Sequence, residues 1–306
     1  GALSGETRGD RNVAIGYEAL LAQNNTSDVD AYNTAIGYAA GTAMLTGTQN
    51  TVVGGQAGDA LTTGANNVAI GYAALSTEDT GHGAVAIGAF ALQDLDGGNT
   101  YNTAIGFSAG AEVTSGSYNT LLGGYAGDAL TTGNNNTAIG YQALSAEDAH
   151  GSNTAIGYQT LNAQNAGAEA YNVAVGHQAG LLVSTGTYNT LIGGLAGDAL
   201  TSGQYNVAVG YAALSTEDGH GKNTAVGYKA LQDLNAGANG LNIAIGYEAG
   251  RRISTGTTNV IVGSLAGDHL TTGGENIAIG YQALTAEDGH GKNVAIGHNA
   301  LRDQDA

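Results

Sequence analysis

A five-residue phrase recurs along the chain: Asn, a β-branched residue, usually Ala, an aliphatic residue, then Gly. It reads Asn12-Val13-Ala14-Ile15-Gly16, then Asn33-Thr34-Ala35-Ile36-Gly37, and onward to Asn293-Val294-Ala295-Ile296-Gly297. In all seventeen copies, positions one and three after the asparagine are Thr, Val, Ile or a single Leu. This alternation with period two predicts a short strand with one face turned to a core. The glycine that follows marks the bend. Glycine and β-branched residues dominate each phrase, which excludes a helix. Most copies lie 17 residues apart, with longer intervals of 21, 18 and 19. Seventeen residues cannot bury a core alone, but identical coils stacked on one another do so continuously. The pattern predicts an all-β parallel β-solenoid of about 17 coils.

A second period lies over the first. The copies fall into four types that cycle in order, so that Asn33, Asn102, Asn172 and Asn242 open successive super-repeats of 69 to 70 residues. The expectation is one continuous rod over 1–306: a partial coil 1–11, an extra coil 12–32, and super-repeats 33–101, 102–171, 172–241 and 242–306. At about 4.8 Å per coil it would be on the order of 80 Å long. The chain starts at Gly1 and stops inside a fourth-type coil. The natural polypeptide is therefore expected to continue beyond both ends, or to stack end to end.

Positions one and three are expected to face the core, so position two points outward. It is alanine in thirteen copies, but Val52, Leu121, Leu191 and Ile261 in the four second-type coils. Strands apolar on both faces are usually buried on both sides. These four residues are thus expected at the contact of a homotrimer or another close-packed homo-oligomer. By the same reasoning, Ile139→Asp would bury an unpaired charge at a cost of several kcal/mol.

Tandem Asn-Thr-Ala-Ile-Gly and Asn-Val-Ala-Ile-Gly phrases with a following Ala resemble the head repeats of trimeric autotransporter adhesins, the YadA-like left-handed β-roll. Forms such as Tyr-Asn-Thr-Ala-Ile-Gly-Tyr-Gln-Ala are similar to the repetitive shafts of phage tail-fibre proteins. The resemblance covers nearly the whole chain. It implies a left-handed coil, a homotrimer, and a location on a cell-surface appendage or a virion fibre. The 17-residue coil and the four-coil super-repeat depart from the family's more compact head coil, and its coiled-coil stalk and membrane anchor have no counterpart here.

The repeated asparagines are expected to form a structural ladder from coil to coil, as stacked amides do in cross-β structures. Its members are Asn33, Asn50, Asn67, Asn102, Asn119, Asn136, Asn153, Asn172, Asn189, Asn206, Asn223, Asn242, Asn259, Asn276 and Asn293. Tyrosines five residues after the asparagine, such as Tyr38, Tyr72, Tyr211 and Tyr228, would line one corner as an aromatic seam. An exposed seam of this kind could instead stack on carbohydrate.

Composition narrows the partners. Among 306 residues there are 52 glycines and no proline or cysteine, as suits a regular backbone that needs almost every N–H. The net charge is −18, and no lysine or arginine occurs between Asn12 and Gly221. Nucleic acid and anionic membrane surfaces are therefore poor partners. No apolar run approaches the roughly twenty residues of a transmembrane helix, so no membrane insertion is expected.

Chemistry is sparse. There is no cysteine cluster, no His-Glu-x-x-His and no phosphate-binding loop, and no enzymatic activity is expected. Third-type coils end in acidic loops: Glu78-Asp79 with His82, Glu147-Asp148 with His150, Glu217-Asp218 with His220, and Glu287-Asp288 with His290. Read plainly, these are solvated turns without a cofactor. The alternative is a weak divalent cation such as calcium. Asp59, Asp128, Asp198 and Asp268 read as turn aspartates. The expected function is a structural and adhesive fibre module that gives reach and meets a host-surface glycan or protein. A self-stacking filament subunit and an ice-binding solenoid are alternatives; the latter is disfavoured because the phrase threonines are expected to face the core, which leaves no unbroken outward threonine row.

Overall fold

The computed structural model describes residues 1–5, 9–25, 28–286 and 289–303. It is a parallel β-solenoid with one three-residue strand per coil and no helix among the described residues. The chain forms two compact units, Gly1–Ser152 and Asn153–Ala306. In the first, strands follow one another from Val13–Ile15 to Thr137–Ile139; in the second, from Thr154–Ile156 to Val294–Ile296. Within each unit the strands pair in parallel and in register. Thr34, Ala35 and Ile36 meet Thr51, Val52 and Val53, and Thr190, Leu191 and Ile192 meet Val207, Ala208 and Val209. In the long first coil a second short pair forms between Gly9–Asp10 and Val29–Asp30.

The asparagine explains why coil stacks on coil. The main-chain N–H of Asn189 donates to the Oδ1 of Asn172 at 2.9 Å, and the Asn189 side-chain amide donates to the carbonyl of Gly203 at 2.8 Å. Asn50 does the same with Asn33 and Gly64. Most of the asparagines thus tie their strand to the preceding phrase and to the turn fourteen residues further on; the Asn223 amide instead bonds to Gly221 and Asn206. The ladder runs mainly from amide to backbone rather than from amide to amide. Fully buried, these side chains satisfy backbone groups that no strand reaches. At Ala84 there is no side-chain oxygen to receive the next coil. The closing glycine is equally constrained: Gly193 has φ +129°, and a Cβ there would lie 2.6 Å from the carbonyl oxygen of Gly210.

The strand alternates as expected, but in the opposite sense. Val52, Leu121, Leu191 and Ile261 are completely buried, as are the alanines at the same position except the partly covered Ala14, whereas the residues on either side look outward. The four residues expected at an oligomer contact are therefore core residues. Glycines make room for them. A Cβ on Gly180 would meet Leu191 Cδ1 at 2.8 Å, and one on Gly197 would meet Leu191 Cδ2 at 2.7 Å; Gly110 and Gly127 stand to Leu121 in the same way, at 2.6 and 2.8 Å. In third- and fourth-type coils the glycine's place is taken by a buried leucine, such as Leu144 or Leu214, and the strand carries alanine. Volume is exchanged between two walls of the coil, so the interior stays filled. Ile139 in turn faces outward and is only partly covered, so an aspartate there buries no charge.

The remaining core column lies eleven residues after the asparagine. Met44, Leu61, Leu95, Val113, Leu130, Val183, Leu200, Leu234, Ile253 and Leu270 fill it. Third-type coils place Glu78, Glu147 and Glu217 in that same column, also fully buried.

Candidate functional site

Three surface features follow from this construction. The first is the outward face of the strands. Position one forms a column of Thr, Val and Ile, and position three a column of Ile and Val with Leu122; neither contains a charged residue. Ile192, Ile243 and Ile245 are 40, 40 and 41% exposed. Thr103, Thr120 and Thr137 stand side by side on successive strands, on the solvent side. The threonines of the phrase thus do not face the core. Within each unit these two columns form an uncharged, β-branched strip that is partly exposed.

Aromatic seams border the strip. On one side Tyr211 stacks on Tyr228 and Tyr228 on Tyr247, with ring centroids 5.7 and 5.2 Å apart. On the other, Tyr171, Tyr188 and Tyr205 stack at 5.5 and 5.1 Å, the latter pair only 2° from coplanar. The rings spend their faces on one another, which leaves little for a sugar to stack on. Around Phe90 and Phe107 the contacts turn edge-to-face instead, beside a shallow hollow lined by Gln56, Asp59, Tyr72, Ser76, Phe90 and Gln93.

The third feature is the acidic loop, and it is not a solvated turn throughout. Glu78, Glu147 and Glu217 are fully buried beside the exposed Asp79, Asp148 and Asp218. One carboxylate oxygen caps the loop: Glu78 Oε1 accepts the N–H of Gly81 at 2.6 Å, and Glu147 and Glu217 accept those of His150 and His220 at 3.1 Å. The other oxygen of Glu78 and of Glu147 is buried without a hydrogen-bond partner. Burial raises the Glu78 carboxyl above its ordinary range and pushes that of Glu147 up to about 7, against the pull of the His150 N–H and imidazole. Metal-ligating atoms of Glu147, Asp148 and His150 lie within 4.8 Å of one another, as do those of Glu217, Asp218 and His220. In the first loop His82 is one residue further along and turns away, accepting the N–H of Ala65 at 2.7 Å; Asp96 joins Glu78 and Asp79 instead. Glu287 and Asp288 lie outside the described residues, while His290 is exposed.

The turn aspartates carry a related tension. Asp59, Asp128 and Asp198 each bury one carboxylate oxygen without a hydrogen-bond partner. Burial raises all three, Asp128 to about 6 with a further push from Glu112. In the fourth super-repeat the same oxygen of Asp268 lies 3.3 Å from the Arg251 guanidinium. Sequence reasoning missed both the buried glutamates and these half-buried aspartates. The signal for the glutamates was present, because each falls in register with a leucine of the neighbouring coil. Compared with known proteins, the chain matches no protein family, no curated protein and no solved structure.

Proposed function

We propose that the chain is a non-enzymatic structural module of an extracellular fibre, whose copies pack on one another through the β-branched strip. One observation carries this reading: positions one and three of every strand are uncharged and β-branched, apart from Leu122, although they face outward. Burying such surface contributes roughly 25 cal/mol per Å², and a flat repeated face is self-complementary about a symmetry axis. The likeness of the phrase to trimeric adhesin heads and tail-fibre shafts favours three copies. The acidic loops then lie away from the contact, and the net charge of −18 keeps assembled rods apart and disfavours nucleic acid and anionic membranes. No helix among the described residues is long and apolar enough to cross a membrane.

Sedimentation equilibrium on the full chain tests this. The expected result is a trimer that Ile192→Asp with Ile245→Asp converts to a monomer of unchanged far-ultraviolet circular dichroism. A wild-type monomer at micromolar concentration overturns it. The outward threonines favour one second reading, in which the strip orders water as an ice-binding face. Thermal hysteresis of the wild-type monomer, lost on Thr120→Lys, would establish that reading in place of the fibre.

A further inference from the structure

We infer that the loop Glu147–Asp148–His150 is a binding site for a divalent transition-metal ion of the zinc class. The inference starts from the core. Eleven residues after the asparagine the interior takes Leu, Val, Ile or Met in most coils, and a leucine there would bury no charge. Third-type coils nevertheless carry glutamate, always followed by Asp and, three or four residues on, by His. Capping the loop explains one oxygen of that carboxylate. It leaves Glu147 Oε2 buried with no partner, on a side chain with no exposure.

The imidazole completes the argument. His150 Nδ1 is also buried without a hydrogen-bond partner, and it lies 3.7 Å from Glu147 Oε1. That is too long for a hydrogen bond. It suits two ligands of one ion, since two donors each about 2.1 Å from a tetrahedral metal stand about 3.4 Å apart. The Glu217 loop is already satisfied: His220 Nδ1 is hydrogen-bonded to Glu217 Oε1 at 3.2 Å, and Glu217 Oε2 accepts the N–H of Ala236 at 3.3 Å, so it is not a site of the same kind. Asp148, exposed at the mouth, supplies the third donor and leaves one position open to water. An imidazole nitrogen with two carboxylates selects a borderline transition ion such as Zn²⁺ over Ca²⁺, which takes six to eight oxygens. The first loop, with His82 turned away and Asp96 in its place, offers oxygen donors alone and takes Zn²⁺ more weakly.

Competition for Zn²⁺ against a chromophoric chelator, on the full chain at neutral pH, tests the inference independently of how copies associate. Glu147→Gln and His150→Ala should each lose one equivalent of bound Zn²⁺ relative to the wild type, and Ca²⁺ should bind at least tenfold more weakly. His150 is partly exposed, so its replacement leaves the fold intact even where the glutamine variant does not. Equal numbers of bound Zn²⁺ in the wild type and the histidine variant, or Ca²⁺ bound as tightly as Zn²⁺, overturns it.

Discussion

Leu191 and Ile192 are neighbours on one strand, both aliphatic, yet one is fully buried and the other 40% exposed. The inward column is made of alanines with an occasional large residue set into a gap between two glycines. The two outward columns are β-branched throughout apart from Leu122. In this solenoid bulk does not identify the inside. The coil is narrow and its interior is shared by several walls, so whichever wall carries the large residue obliges the others to be small. The outer face has no such limit, and its uniform β-branching answers instead to the strand and to what covers it.

The sharpest way to break this comparison is the same substitution at the two neighbours. Leu191→Asp should unfold the surrounding coils, because it buries a charge with no partner, whereas Ile192→Asp, which weakens only the contact between copies, should leave the coils folded and lower the melting temperature far less. Equal losses in the two melting curves would mean that the faces are wrongly assigned. The milder Leu191→Ala should cost about 2–5 kcal/mol in denaturant unfolding.

The glycine gaps give the next effect. Gly197→Ala should cost about 1–3 kcal/mol by overpacking against Leu191. Combined with Leu191→Ala, the loss should be clearly less than additive, since the smaller side chain removes the clash. Additive losses in a double-mutant cycle would show that Gly197 is there for its backbone alone.

Asp128 offers a smaller effect with a definite sign. Its folded-state pKa of about 6 lies above the ordinary 3.8, so the unfolded chain gives up that proton first. The favourable contribution of the protonated carboxyl is complete below about pH 4 and is lost as the pH rises through 6. Urea midpoints of wild type should therefore fall across that interval relative to Asp128→Asn, in which the residue no longer titrates. Parallel curves would place the carboxyl in water.

The smallest expected effect is a gain. Ala84→Asn restores a side-chain oxygen to the ladder where Asn102 follows, and should add about 0.5–1.5 kcal/mol, the net worth of one hydrogen bond. A loss in thermal unfolding would mean that the coil beginning at Ala84 has no room for the amide.

The sequence by itself determined the coil, the strand in each coil, the four-coil super-repeat and the positions of the asparagines. These rest on local preferences repeated at a fixed period, and periodicity survives any error about what surrounds a residue. Tertiary structure alone decided which face of each strand is inside. Alternation with period two is symmetric between the faces, and only the stacked walls around Leu191, with Gly180 and Gly197 withdrawn, break that symmetry. It also turned Glu147 and Glu217 from turn residues into core residues, because burial depends on the coils above and below rather than on the acidic neighbours in the chain.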